Sequence, residues 1–335
     1  MRHIAHFLPD RIVSSDELAR TFVDSEGREI MSGRALQRLT GIRERRYAAP
    51  GVGSSDLASS ATVKLLAECD IRPEAIDTLI SASASHDVAE PATANRLQHL
   101  SGCTRARVFD VKNACNSFLD GLEVAASLVA CGRADHVVVA TGEVISRTIS
   151  TVSPDRNSVS DLLAGLTLGD AGAAALISAS PSGALARVLP AKSRSIGSYW
   201  NRSALMAGGN LTTPESEVPY FVSDSQTIFE LVLEHVPALV REALDEQGWL
   251  VDEIDIAIPH QASILLIREL AKACGFPFER CMVTSDHLGN TAAASIPVAL
   301  SLALEGGRLQ RARRVLLVGG AAGFSASVIP LEITG

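Results

Sequence analysis

The sequence predicts an α/β fold made of two similar halves. Two observations lead there: helical and strand patterns alternate through most of the chain, and short signatures recur at one fixed spacing. A third concerns size. With 335 residues, 47% apolar and 20% charged, such a body has ample core.

The first half reads as follows. Ser55 to Glu68 is a helix capped by Ser54 or Ser55, with Leu57, Ala61, Leu65 and Leu66 on its apolar side. Ile76 to Ile80 is a strand leading into the small-residue run Ser81 to Ser85, and Thr93 to Leu100 is a helix. Val108-Phe109 begins a strand that runs into the turn Asp110 to Cys115, and Phe118 to Val129 is a helix stopped near Gly132. His136 to Ala140 is a strand, and Gly169-Asp170-Ala171-Gly172 is a turn entering another.

The second half repeats this order. Phe229 to Glu246 and Ser263 to Ala273 are helices, and Ile254 to Ile258 and Val315 to Val318 are strands. Gly289-Asn290-Thr291 opens a further apolar helix. Between the halves, residues 193–227 are polar and too long for a simple connection, which suggests a substrate-facing excursion. The recurrence is numerical. Ile76-Asp77 and Ile254-Asp255 stand 178 residues apart, as do Ala84-Ser85 and Ala262-Ser263, and Ala134 and Ala312. The same spacing sets Cys115 beside Ala293 and His260 beside Ala82, so equivalent strand–helix junctions carry the special residues.

Composition excludes several functions. A formal charge of −8 and 4% aromatic residues argue against nucleic acid as a partner. The cluster Arg43-Glu44-Arg45-Arg46 reads as an exposed loop. No apolar run reaches the roughly 18–20 residues of a membrane span, and Met1 to Asp10 lacks a signal-peptide core, so a cytoplasmic protein away from membranes is expected. Six cysteines without a C-x-x-C pair or zinc-like spacing are expected to be thiols, with no metal.

Cys115, at the mouth of a helix, sits where unpaired N–H groups and the helix dipole stabilise a thiolate, which suits a nucleophile. A small buried core thiol is the other reading. His260, held by Pro259, suits proton transfer or a structural role. Asn290 suits either a helix cap or an amide donor aimed at a carbonyl oxygen.

Asn113-Ala114-Cys115, Pro259-His260-Gln261-Ala262 and Gly289-Asn290-Thr291 through Pro297 resemble the three active-site motifs of the ketoacyl-ACP synthase III family of the thiolase superfamily. Thr40 to Arg46 and Gly169 to Ala173 resemble two further blocks, all in the family's order. The resemblance implies a thiolase-like five-layer αβαβα fold of two pseudo-symmetric halves. Residues 1–180 would carry the nucleophile, and residues 181–335 the His and Asn.

It further implies that Cys115 accepts an acyl group, and that His260 and Asn290 stabilise the enolate left when a malonyl thioester loses carbon dioxide. The backbone N–H groups of Cys115 and Ala322 would form the oxyanion hole. Acyl-CoA or acyl-carrier-protein thioesters would be the substrates, with no other cofactor. The protein would be a homodimer with an acyl carrier protein as partner, contacted by Arg268 and Lys272. Transfer of the acyl group to an alcohol or amine is the alternative reaction.

The chain departs from the family at Ala35 and Leu39, where a Trp and an Arg often clamp coenzyme A, and at Ser263 in place of Asn. Gly320 stands where an aromatic residue commonly precedes the C-terminal glycine loop, which implies a wider pocket. These departures favour a specialised role over a housekeeping start to fatty-acid synthesis, in specialised metabolism or in a fatty-acid or polyketide pathway.

Overall fold

The structure is a computed structural model that describes residues 1–153, 159–213 and 218–335. Two five-stranded assemblies organise it. The first contains β1 (His3–Phe7), β2 (Thr78–Ala82), β3 (Arg107–Val111), β4 (His136–Glu143) and β5 (Ala171–Ser178), in the order β1-β5-β4-β2-β3. The second contains β6 (Ala186–Val188), β7 (Lys192–Ser195), β8 (Ile256–Pro259), β9 (Arg314–Ala321) and β10 (Ser325–Ile333). Its order is β6-β10-β9-β8, with β7 also on β10. β2 is parallel to β4 and β8 is parallel to β9, while β5 and β10 run antiparallel to their neighbours.

Strands β4 and β9 read as nearly continuous apolar runs because both of their faces are covered. Between the sheets lie α4 (Ser117–Ala130) and α7 (Ser295–Glu305), whose apolar faces share one core with both sheets. After α1 (Gly33–Thr40), helices α2 (Ser54–Glu68) and α3 (Thr93–Ser101) cover the outside of the first sheet. Helices α5 (Ser225–Gln247) and α6 (Ile264–Cys274) cover the second. The layers are therefore αβαβα, as expected. The central layer packs tightly: a Cβ on Gly121 of α4 would meet Ala82 and Val139 at 2.9 Å, so only glycine lets the helix lie this close to β2 and β4.

The 178-residue recurrence survives in three dimensions. Strand β4 maps onto β9 from end to end, and α4 and α7 start at the same spacing. It fails at β3, whose counterpart is a single bridge between Ala257 and Cys281.

Several local expectations are corrected. Helix α2 is capped by Gly53, whose N–H donates to Asp56 (2.7 Å), rather than by Ser54 or Ser55. The Arg43–Arg46 cluster is not an exposed loop. Glu44–Tyr47 is a strand, and Arg45 is fully buried, donating to Ser15 Oγ (3.0 Å) and to the carbonyl of Leu166 (2.9 Å). Alternation along that strand turns Arg45 inward, where these oxygens receive it. Gly289-Asn290-Thr291 does not lead straight into a helix; a 3-10 turn, Ala292–Ala294, comes first. The excursion from 193 begins as β7 and later forms a two-stranded sheet, Ser203–Leu205 on Phe221–Ser223, while its residues 214–217 lie outside the described residues.

Candidate active site

Cys115 stands on a tight turn between β3 and α4. Ala114 takes a left-handed φ of 46°, a strain that side-chain-bearing residues keep only where the surroundings enforce it. Those surroundings are specific. The Asn113 N–H donates to Ser117 Oγ (2.8 Å), and its amide donates to Asp120 (2.7 Å). Ser325 of β10 accepts from the Asn116 amide (2.9 Å) and donates to Asn113 Oδ1 (3.3 Å). The turn is thus fastened to the opposite half. Gly319 permits this, since a Cβ there would fall 2.1 Å from Asn116 Oδ1.

His260 follows β8, and its N–H extends the sheet to the Val318 carbonyl (2.8 Å). Its Nδ1 lies 2.7 Å from Ser295 Oγ at the start of α7. The Gln261 N–H also points at that hydroxyl oxygen (3.4 Å), so we assign the serine proton to a bond with Nδ1. Neutral imidazole then carries its proton on Nε2. Buried Gln261 fixes the strand end, donating to the carbonyls of Pro259 (2.7 Å) and Met282 (3.0 Å) and accepting from the N–H groups of Thr284 and Ser285.

Asn290 is clamped by its backbone. Its N–H donates to the Thr167 carbonyl (2.8 Å), and its carbonyl accepts from the Gly169 N–H (2.9 Å). Its Oδ1 accepts from the Ala292 N–H (3.0 Å), which assigns the other end of the amide, the NH2 donor, to the open side. Ala292 is itself left-handed, with φ 44°. The cap and donor readings both hold: one end of the side chain closes the 3-10 turn and the other remains free. Arg45 supports the clamp through Leu166, beside Thr167.

One cavity of about 230 Å³ is lined by Cys115, His260, Asn290 and Ala322 together. The backbone N–H groups of Cys115 and Ala322 both favour the charged form of the Cys115 sulfur, which places the two expected donors beside it. Burial pushes the thiol up to about 12, with the nearby Glu143 charge adding to the rise and the two N–H groups opposing it. The thiolate expected from the helix dipole is therefore not the resting form. The helix begins only at Ser117, and enclosure outweighs it. Burial likewise holds His260 down at about 4, so it is neutral at physiological pH.

Other expected positions are placed as follows. Leu39, Ser263 and Gly320 line the cavity, with Ser263 capping α6 by accepting from the Leu266 N–H (3.2 Å), whereas Ala35 is not in its wall. Arg268 and Lys272 are on the exposed face of α6, away from the reacting groups; the Arg268 guanidinium lies over the Phe278 ring at 4.9 Å. From the polar excursion, Ser203, Phe221 and Ser223 reach the wall.

Sequence reasoning missed Ser295 and Glu143. Ser295 lay inside a quoted motif. Glu143 was marked by a charge ending an apolar strand. It is buried and accepts from the N–H groups of Ala84 (2.7 Å) and Ser85 (3.0 Å) and from Ser85 Oγ (2.7 Å); burial raises it to about 7, with these groups and the Ala293 N–H opposing the rise.

The chain is similar to known proteins over its whole length. Residues 109–197 match the family model for 3-oxoacyl-[acyl-carrier-protein] synthase III, and residues 244–333 match the model for its C-terminal part. The chain is similar to the solved 3-oxoacyl-(acyl carrier protein) synthase III, FabH, of Pseudomonas aeruginosa PAO1. That match has 27% identity, a TM-score of 0.86, and covers 100% of this chain and 98% of that one. The enzyme from Aquifex aeolicus VF5 matches at 25% identity and TM-score 0.85, over 99% and 98% of the two chains. Cerulenin-bound OleA from Xanthomonas campestris matches at 27% identity and TM-score 0.88, over 98% and 95%.

Proposed function

The chain belongs to the 3-oxoacyl-[acyl-carrier-protein] synthase III family of condensing acyltransferases, and from that premise we propose that Cys115 carries the acyl group to be condensed. The observation that carries the reading is the single cavity onto which Cys115, His260, Asn290 and Ala322 all open.

The thiol attacks the carbonyl of an acyl thioester, supplied by CoA or a carrier protein. A bond forms between Sγ and the carbonyl carbon, the donor C–S bond breaks, and the thiol proton leaves with the departing sulfur. The backbone N–H groups of Cys115 and Ala322, beside the sulfur, hold the oxyanion. A malonyl-type thioester then enters. The Nε2–H of His260 and the Asn290 amide donate to its carbonyl, stabilising the enolate as carbon dioxide departs. The enolate carbon attacks the acyl carbon, the C–Sγ bond breaks, and the released sulfur takes a proton from water to restore the Cys115 thiol. The Ser295 bond favours His260 as a donor over a base, and so favours condensation over transfer to an alcohol or amine.

The exposed Arg268 and Lys272 are the contacts proposed for an acidic carrier protein. Strand β3, paired on one side only, is the edge proposed for homodimer formation. Intact mass after incubation with acyl thioesters tests the first step. An adduct is expected on the native chain and none on Cys115→Ala, a loss of at least ~10³-fold. Adding malonyl-carrier protein to the acylated enzyme should release carbon dioxide with a β-keto product. Uptake by Cys115→Ala, or transfer to an amine without release, overturns the reading.

A further inference from the structure

Resting on the acyl-enzyme reading, we infer that the inner part of the cavity, left open by Gly320, seats the acyl chain and selects a flexible aliphatic acyl group well beyond acetyl. Burial distinguishes the two ends of the cavity. Toward the mouth stand Leu39, 58% exposed, and the exposed Ser225, while the hydroxyls of the buried Ser203 and Ser223 hydrogen-bond to each other (2.5 Å). The inner wall is made by Val232 and Val236 of α5, Ile267 and Leu270 of α6, and Val318 of β9, all of them buried. None of these five offers a polar side chain. The backbone of β9 is occupied on both sides up to Val318 by its ladders with β8 and β10, and on the β10 side beyond it. A group seated there meets hydrocarbon only, which favours apolar chains and penalises polar ones.

Gly320 lies on β9, two residues past Val318 and two before Ala322. Its backbone is not left-handed, so the conformation itself does not demand glycine. What a side chain would change is space. A Cβ at this position would meet Val232 Cγ2 at 3.1 Å, so anything larger would fill the gap between strand and helix. The missing side chain thereby joins the reacting carbon to the inner wall. The path has room to lengthen. Ile267, Leu270 and Val318 also border a second, apolar void of about 10 Å³, closed by Ala257, Phe276 and Cys281. Rotamer shifts of the three shared side chains would connect the two spaces.

The chemistry of loading is unchanged: an Sγ–C bond forms, the donor C–S bond breaks, and the donor thiol leaves with the Cys115 proton. Only the ease of seating the chain differs. Each methylene buried is worth about fourfold in kcat/KM.

The test is the rate of Cys115 acylation by the N-acetylcysteamine thioesters of acetate, octanoate and benzoate, read by intact mass. These donors dispense with both CoA and carrier protein. Octanoyl transfer is expected to exceed acetyl transfer by at least roughly tenfold. Gly320→Phe should lower the octanoyl-to-acetyl ratio by roughly tenfold or more, and Val232→Phe should do so from the opposite wall, which keeps the test open if one variant does not fold. An unchanged ratio in a folded variant overturns the inference, as does a preference of the native chain for benzoyl or acetyl. If no thioester acylates native Cys115 at all, the acyl-enzyme reading fails first.

Discussion

Strands β4 and β9 occupy the same place in the two halves, 178 residues apart, yet they end in opposite chemistry. Strand β4 ends in the buried carboxylate of Glu143, and β9 ends in Ala321, followed by the Ala322 N–H. Each end reaches across to the other half. The N–H of Ala293, the residue that the repeat sets opposite Cys115, favours the charge on Glu143, while the N–H of Ala322 favours a charge on Cys115 itself. The repeat supplies a matched scaffold, and function sits where the copies diverge. One crossing holds the Asn290 side of the site in place, and the other forms half of an oxyanion hole.

The largest test separates the work of the halves. His260→Ala or Asn290→Ala should each lower carbon dioxide release from a malonyl thioester by about 10²- to 10³-fold. Acylation of Cys115, followed by mass, should stay within a fewfold of native. Equal losses in both steps would dissolve the division.

Next in size is an opposition in pH. Against an ordinary 6.5, His260 sits at about 4 in the fold, so the stability linked to its neutral form is present above 6.5 and lost as pH falls through 4. Glu143 sits at about 7 against 4.5, so its contribution is present below 4.5 and lost as pH rises through 7. Each amounts to about 3 kcal/mol over its window, with opposite sign. Between these limits the two nearly cancel, and urea midpoints of the native chain should change little from their titration. Glu143→Gln should expose a midpoint that rises with pH, and His260→Ala one that falls. Identical profiles for the two variants would refute the pairing.

The smallest effect concerns the thiol. Removing the charge beside Cys115 by Glu143→Gln should speed its alkylation by iodoacetamide at pH 8 by roughly three- to tenfold. A slower reaction would show that the carboxylate serves the thiol only by holding the fold.

Much of this was legible beforehand, for a physical reason. Helix α4 and strands β4 and β9 carry their period in consecutive residues, and a recurrence of 178 residues needs no coordinates to be counted. Cys115, His260 and Asn290 were visible through motif resemblance. What stayed hidden depended on partners far along the chain. Arg45 looked like a surface charge because nothing local announces Leu166 as its acceptor. The thiol's resting state was misjudged because the helix start is local, whereas the enclosure and Glu143 come from elsewhere. Asn290's double use depends on the φ of Ala292, which composition does not reveal.

Ser325 carries a consequence for synthesis. It is the residue that ties Asn113 and Asn116 around the nucleophile, and it comes 209 residues after Asn116. Strand β10, which it begins, also stands between β9 and both β6 and β7. A growing chain therefore presents Cys115 long before the turn around it can lock. Until β10 has emerged and docked, the cysteine is an ordinary thiol on a loose loop, and the enzyme arms itself only near the completion of its second sheet.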